Sequence, residues 1–332
     1  MTTTRPNVLL FGVGSIGSVY AAILILSKRC SVHVVARSNY DALQKQGLTL
    51  RSSKFGDHEG LRFDGVYRTC EEAANSGTRF DYVVCSNKAL LDAKPSLSDI
   101  LQPVVTDGTA IVLLQNGVGV EEPLHEAFPN NTVLSACVWT GAKVLGPGEA
   151  EQFNREGLTI GVDHAEALSA EQEQKQLDVF VEMSRAGGSD VTVCDDIQSE
   201  RWVKVIWNAC WNAVTTATQL RTNRFLEASP QAMMLSRAIM GEVVDVARAK
   251  GLTVPDGSVD KLIEQCTSVK DGLPSSMLDD YVAGRPTEVE VILGTPLREG
   301  LRLGVPVPSL IAMYSIIKAL DWKNAHPEEA KI

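Results

Sequence analysis

Asn7-Val8-Leu9-Leu10-Phe11-Gly12-Val13-Gly14-Ser15-Ile16-Gly17 is a short apolar run that breaks into Gly-x-Gly-x-x-Gly and then enters an apolar helical pattern. Each glycine has a separate physical task in such a turn. Gly12 allows the tight reversal, Gly14 lets the backbone approach a pyrophosphate, and Gly17 lets the new helix lie close on the strand. The helix start adds unbonded N–H groups and the positive end of its dipole, both suited to phosphate. Strand, glycine turn and helix in this order predict a dinucleotide site built from Gly12, Val13, Gly14, Ser15, Ile16 and Gly17.

The second strand-like run, Ser31-Val32-His33-Val34-Val35-Ala36, ends in Arg37-Ser38-Asn39. Sites for NAD place an acid near this point, where it accepts hydrogen bonds from the ribose 2′-hydroxyl. Here the position holds Arg37, and no Asp or Glu occurs before Asp41. A guanidinium fork suits a 2′-phosphate, and the missing carboxylate removes the repulsion that would exclude it. The expected cofactor is NADP(H) rather than NAD(H).

Outward from this start, strand-like runs at 7–11, 32–36, 81–85 and 109–114 alternate with helical stretches near 15–28, 38–46 and 88–102. Continuous apolar strands suit a parallel sheet covered on both faces. Segments 132–139, 143–146 and 157–162 read as the far, partly antiparallel edge of the same sheet. Beyond about residue 195 long helical patterns take over, at 197–218, 230–250, 258–268, 287–303 and 308–320. The expected architecture is α/β, with an N-terminal Rossmann-type doubly wound sheet over 1–195 and an all-helical domain over 196–332. A cleft between two such domains is a natural place for a substrate.

At 332 residues, two domains are the default. A net charge of −10 without a basic face argues against binding a nucleic-acid backbone. The seven cysteines are scattered, without a Cys-x-x-Cys pair or Cys/His cluster, so no metal and no disulfide framework is expected. No apolar stretch is long enough for a membrane span, and the chain runs at once into its first strand, so a cytoplasmic location is expected. The last three residues, Ala330-Lys331-Ile332, distantly resemble a peroxisomal address.

The stretch Glu200–Val214 is apolar almost all round after its first turn, except for Lys204, Asn208 and Asn212. At about 100° per residue these three share one face, drifting about 40° at each step. A helix clothed in Val, Ile, Trp, Ala and Cys is largely buried, and a lysine and two amides in one line need polar partners or a polar ligand. A lysine in a partly desolvated pocket can supply the proton that a ketone oxygen needs after hydride reaches its carbon. None of the five histidines falls in a pattern that would make it the donor.

With these residues in view, the chain resembles the ketopantoate reductase (2-dehydropantoate 2-reductase) family over nearly its whole length. The motifs are Gly12-Val-Gly14-Ser-Ile-Gly17, Gln115-Asn116-Gly117-Val-Gly119, Trp202-x-Lys204-x3-Asn208-x3-Asn212, and Ser275-Ser276-Met277 leading to Arg285-Pro-Thr-Glu288. The resemblance implies NADPH-dependent reduction of ketopantoate to (R)-pantoate, with Lys204 as proton donor. It implies Asn208, Asn212 and Ser276 as substrate contacts, and Asn116 near both nicotinamide and substrate. Lys88, a backbone contact at Ala142, and Glu288 are implied as cofactor contacts. A homodimer formed through the helical domain is its oligomeric implication.

Plainer roles compete at three places. Asn116-Gly117 is a turn signal, Ser275-Ser276 is a helix start, and Thr287 with Glu290 forms a capping-box pattern. One departure bears on substrate. Where the family carries an Asn-Gly-Glu-Leu run whose Asn contacts substrate, this chain has Arg221-Thr222-Asn223-Arg224-Phe225-Leu226. A related 2-keto acid is therefore an alternative substrate, a β-hydroxyacid dehydrogenase an alternative enzyme, and a non-catalytic NADP(H) sensor an alternative of another class.

Overall fold

A computed structural model describes residues 5–329 apart from 166; Ala330-Lys331-Ile332 lies outside the described residues. The first part of the chain runs β1 (Asn7–Phe11), α1 (Ser15–Ser27), β2 (Ser31–Val35), α2 (Tyr40–Gln46), β3 (Leu48–Ser52), β4 (His58–Leu61) and β5 (Gly65–Tyr67). It continues through α3 (Cys70–Asn75), β6 (Tyr82–Cys85), α4 (Leu97–Leu101), β7 (Ala110–Leu113), α5 (Glu122–Ala127), β8 (Val133–Val138) and β9 (Gly141–Gly146). Then come β10 (Glu149–Phe153), β11 (Leu158–Asp163), α6 (Ala170–Ala186) and β12 (Val191–Val193). Helices follow: α7 (Ile197–Thr218), α8 (Thr222–Ala228), α9 (Pro230–Ala249), α10 (Ser258–Thr267), α11 (Ser276–Val282), a π-turn (Glu290–Gly294), α12 (Thr295–Leu303) and α13 (Pro308–Ala325).

Two compact units emerge. Unit 1 takes the chain up to Lys88, Ala93–Gln115 and Val120–Ile197; unit 2 takes Ala89–Asp92, Asn116–Gly119 and everything from Gln198. Two tetrapeptides that follow strands of unit 1 therefore pack with the helices of unit 2.

Unit 1 is a Rossmann-type domain. Its main sheet has the order β12-β11-β8-β7-β6-β1-β2-β5. From β5 to β8 neighbouring strands are parallel, and β11 turns antiparallel to β8. Strand order reverses at β1, so the carboxyl ends of β1, β2 and β6 border the crevice where open α/β sheets take ligands. Val8, Leu9 and Leu10 of β1 are fully buried, as a strand covered on both faces requires. Helix α1 packs on α6 and on β3, β9 and β10, which explains why its middle, Val19–Leu24, is apolar and buried on every side.

Three expectations need correction. Segment 143–146 does not extend the main sheet. It lies in β9 of a separate sheet, order β4-β3-β10-β9, that packs along α1. The turn Gly146-Pro147-Gly148 closes a β9–β10 hairpin, and β10 then pairs in parallel with β3, a partner a hundred residues earlier that local pattern could not supply. The expected helix over 88–102 shrinks to α4. Pro95 disfavours helical backbone at Lys94, and Ser96 starts the helix with a capping box to Asp99. The expected 287–303 helix begins as a π-turn at Glu290, leaving Thr287 and Glu288 outside it. No helix among the described residues is long and apolar enough to cross a membrane.

The glycine turn divides its tasks by geometry. Gly12 sits at φ +95°, and a Cβ there would lie 2.7 Å from the Asn87 nitrogen. A Cβ on Gly17 would overlap the Gly12 carbonyl oxygen and come within 2.6 Å of Ser86 Oγ, whereas one on Gly14 would meet nothing within 4 Å. Packing therefore demands glycine at 17 but not at 14. Gly17→Ala is expected to lower unfolding free energy by about 1–3 kcal/mol or more, as overpacking does. Gly14→Ala should stay within about 1 kcal/mol of wild type. Urea titration of both variants checks the contrast.

Candidate active site

In unit 1 the turn is held by its neighbours. Ser86 Oγ donates to the Gly12 carbonyl at 2.6 Å, and the Asn39 side-chain amide donates to the Val13 carbonyl at 2.7 Å. Gly14 is the N-cap of α1, with no side-chain cap and no acidic residue in the first turn, so the helix N-terminus keeps its positive end uncovered. The empty space at Gly14 is a cradle that any Cβ would fill, and Asn87, which lies against Gly12, has its Oδ1 buried without a hydrogen-bond partner. These residues fit a bound pyrophosphate and its ribose. Arg37 is exposed just past β2. The first acid after it, Asp41, is engaged by Arg68 at 3.1 Å. Lys88 is exposed at the end of the β6 segment, and Ala142 lies half-buried on β9, paired with Gln152.

Unit 2 assembles the other candidates on α7. Trp202, Val205, Ile206, Ala209, Cys210, Trp211, Ala213 and Val214 are buried, so apolar contact fixes the helix. Lys204, Asn208 and Asn212 form the polar stripe and are themselves only 9%, 7% and 4% exposed. Lys204 Nζ donates to Asn116 Oδ1 at 2.9 Å, and Asn116 Nδ2 donates to Glu288 Oε2 at 3.2 Å. Glu288 Oε1 accepts from the Ala89 N–H at 3.0 Å. Neither Asn208 nor Asn212 hydrogen-bonds through its side-chain amide to any described residue. Buried amides without protein partners are costly unless water or a ligand meets them.

The plainer roles are sorted by the same geometry. Asn116 is not merely a turn residue, because its side chain links Lys204 to Glu288. Thr287 is no cap: its N–H donates to Asp321 Oδ1 at 2.9 Å, and its buried hydroxyl has no partner. The serine pair is a helix start. Ser275 caps α11 by accepting from the Leu278 N–H and lies 2.6 Å from Thr215 Oγ1, while Ser276 is exposed at the first helical position and bonds to none of the other candidates. In the departing segment, Thr222 Oγ1 accepts from the Leu273 N–H at 2.9 Å and Asn223 Nδ2 donates to the Lys270 carbonyl. Both side chains brace the 270–273 loop.

A charged network missed by sequence reasoning fixes the backbone next to Glu288. Glu290 accepts from Arg298 and Lys318 at 2.7 Å each and from the Tyr314 hydroxyl at 3.0 Å. Lys318 also reaches Asp92 at 2.6 Å, tying segment Ala89–Asp92 to the π-turn. Burial works against the charged form of Glu290, yet the bonds from Lys318, Arg298 and Tyr314 outweigh it and hold the carboxyl below its usual range. Burial likewise opposes the Lys318 charge, and its bonds to Asp92 and Glu290 hold the ammonium above its usual range. These residues come from distant parts of the chain, and no local motif marks them.

Two family models match the chain. The one described as ketopantoate reductase PanE/ApbA covers residues 8–164, and the one for the C terminal of the same family covers 196–321. A 2-dehydropantoate 2-reductase from Methylococcus capsulatus is 32% identical in its crystal structure, with a TM-score of 0.82 over 96% of this chain and 98% of that one. A protein of that name from a Nostoc species is 27% identical over 95% of each chain. An uncharacterized protein of Saccharomyces cerevisiae is 29% identical over 96% of this chain and 94% of its own.

The Glu290 network yields a prediction. Because its carboxyl is depressed in the folded state, its stabilisation is complete above the ordinary carboxylate range and fades as pH falls through the folded value. Glu290→Gln should cost about 1–2 kcal/mol at neutral pH, less than the ~3–5 of a fully buried pair because Lys318 and Arg298 are partly exposed. The gap between wild type and variant should close on acidification. Thermal unfolding of both proteins across pH 7 to about 3 measures it.

Proposed function

This chain belongs to the ketopantoate reductase family, and we propose that it reduces 2-dehydropantoate to (R)-pantoate with NADPH. The observation that carries the reading is the chain Lys204 Nζ–Asn116 Oδ1 at 2.9 Å and Asn116 Nδ2–Glu288 Oε2 at 3.2 Å, with the buried amides of Asn208 and Asn212 on the same helix face as Lys204. The bound dihydronicotinamide supplies hydride to the keto carbon. Lys204 donates a proton to the keto oxygen and, while charged, stabilises the negative charge developing there. Asn116 orients the ammonium, and Asn208 and Asn212 offer amide donors to a 2-keto acid. A dinucleotide sensor without turnover has no use for such a donor.

Preference for NADPH is supported by Arg37 at the carboxyl end of β2 and by Asp41 being drawn to Arg68. One observation favours a second reading, a related 2-keto acid as substrate. The position that carries a substrate-binding Asn in the family is Thr222, and its hydroxyl is committed to Leu273.

Lys204→Ala should lower kcat by about 10²–10⁴-fold, the range for a general acid, while leaving NADPH affinity unchanged. Steady-state assay with ketopantoate, run beside a panel of other 2-keto acids, tests both donor and substrate; turnover close to wild type removes Lys204 from the chemistry. Arg37→Ala should raise KM for NADPH by about 10–100-fold, the value of a charge-assisted hydrogen bond, and leave KM for NADH nearly unchanged. An equal effect on both nucleotides would separate Arg37 from the 2′-phosphate.

A further inference from the structure

We propose that Arg201 is a positioning residue that sets the Asn116–Gly119 tetrapeptide and, through it, the contact of Asn116 with Lys204. The proposal rests on Lys204 as proton donor.

Arg201 is among the largest fully buried side chains, at 2% exposure. Burying a guanidinium is expensive, and the apolar packing of α7 gives no reason for one. It sits three residues before Lys204, seven before Asn208 and eleven before Asn212. At about 100° per residue, that puts all four within a sector of about 80°. Arg201 Nε donates to the Gly117 carbonyl at 3.0 Å. The N–H of the same peptide unit, that of Val118, donates to the Val291 carbonyl at 3.0 Å. One peptide plane is thus gripped at both ends, by the guanidinium on its oxygen and by the π-turn on its nitrogen.

The grip is needed because Gly117 is at φ +87° and a Cβ there would strike Val291. Close packing forces glycine at this point, and glycine leaves the plane free to rotate unless it is tied. Two cations of one helix therefore serve adjacent residues: Lys204 takes the Asn116 side chain and Arg201 the backbone just after it.

The test uses full-length Arg201→Ala and Arg201→Lys, read by amide hydrogen exchange at Val118 and by kinetics. Arg201→Ala is expected to speed Val118 exchange by about tenfold or more, the value of one charge-assisted bond. Its kcat should fall by about 100-fold, as misplacement of a catalytic group does. NADPH affinity should hold, and added guanidinium ion should restore part of the rate where sodium does not. If Arg201→Ala does not fold, Arg201→Lys carries the test. It keeps the charge but not the fork, and both effects should appear at about threefold or more. Unchanged Val118 exchange in a folded variant overturns the proposal, as does accelerated exchange with wild-type kcat. Should wild type reduce no keto acid, the proton-donor reading fails by itself, and Val118 exchange still decides whether Arg201 sets the tetrapeptide.

Discussion

An ammonium group that is nine-tenths buried requires an acceptor, and Lys204 has one in the Asn116 amide. Much of unit 2 is arranged around that requirement. Asn116 can serve only because the chain, on leaving β7, inserts a tetrapeptide beside α7. Its amide has a fixed orientation because Glu288 accepts from the other end of it. Glu288 in turn has its second oxygen committed to the Ala89 N–H, so neither the acid nor the amide is at liberty to rotate. A hydrogen-bond chain satisfied at each link is worth more in a low-dielectric interior than the same bonds in water.

The π-turn is the backbone counterpart of this arrangement. Its wider winding begins two residues after Glu288 and presents Glu290 to Arg298, Lys318 and Tyr314. Such turns break the ordinary helical register and recur near functional groups. Here the register break lets two acids two residues apart take different roles. Glu290 is consumed by cations that lock the turn, while Glu288 accepts from the Ala89 N–H and from the Asn116 amide that meets Lys204. Gly294 permits the geometry, since a Cβ there would come within 2.6 Å of Glu290 Oε2.

The legible parts of the sequence were those governed by local periodicity or by fixed motif spacing. The glycine turn, the parallel core strands and the α7 stripe are of this kind. Asn116 and Glu288 entered only through family resemblance, and their contact spans 172 positions. What stayed hidden depends on pairing at a distance. The β3–β10 ladder joins residues a hundred positions apart, so 143–146 could be read as strand but not assigned to its sheet. Arg201 was hidden for another reason: in sequence it stands next to Glu200, ahead of the apolar run that makes the Lys204 stripe conspicuous. Its burial and its bond to Gly117, both visible in the folded chain, set it apart.

A single boundary near residue 195 also misses how unit 2 is built, because Ala89–Asp92 and Asn116–Gly119 pack with it. Both segments follow strands of the parallel sheet, β6 and β7, whose carboxyl ends lie on the edge that binds ligands in such folds. Each donates one group to Glu288, a backbone N–H from Ala89 and a side-chain amide from Asn116. The acid therefore ties both segments, and through Asn116 the Lys204 ammonium, within unit 2. A site built this way cannot be assembled by the helical residues alone. Its acceptor and its acid's donors come from the Ala89–Asp92 and Asn116–Gly119 segments, which stand far earlier in the chain than the helices they pack with.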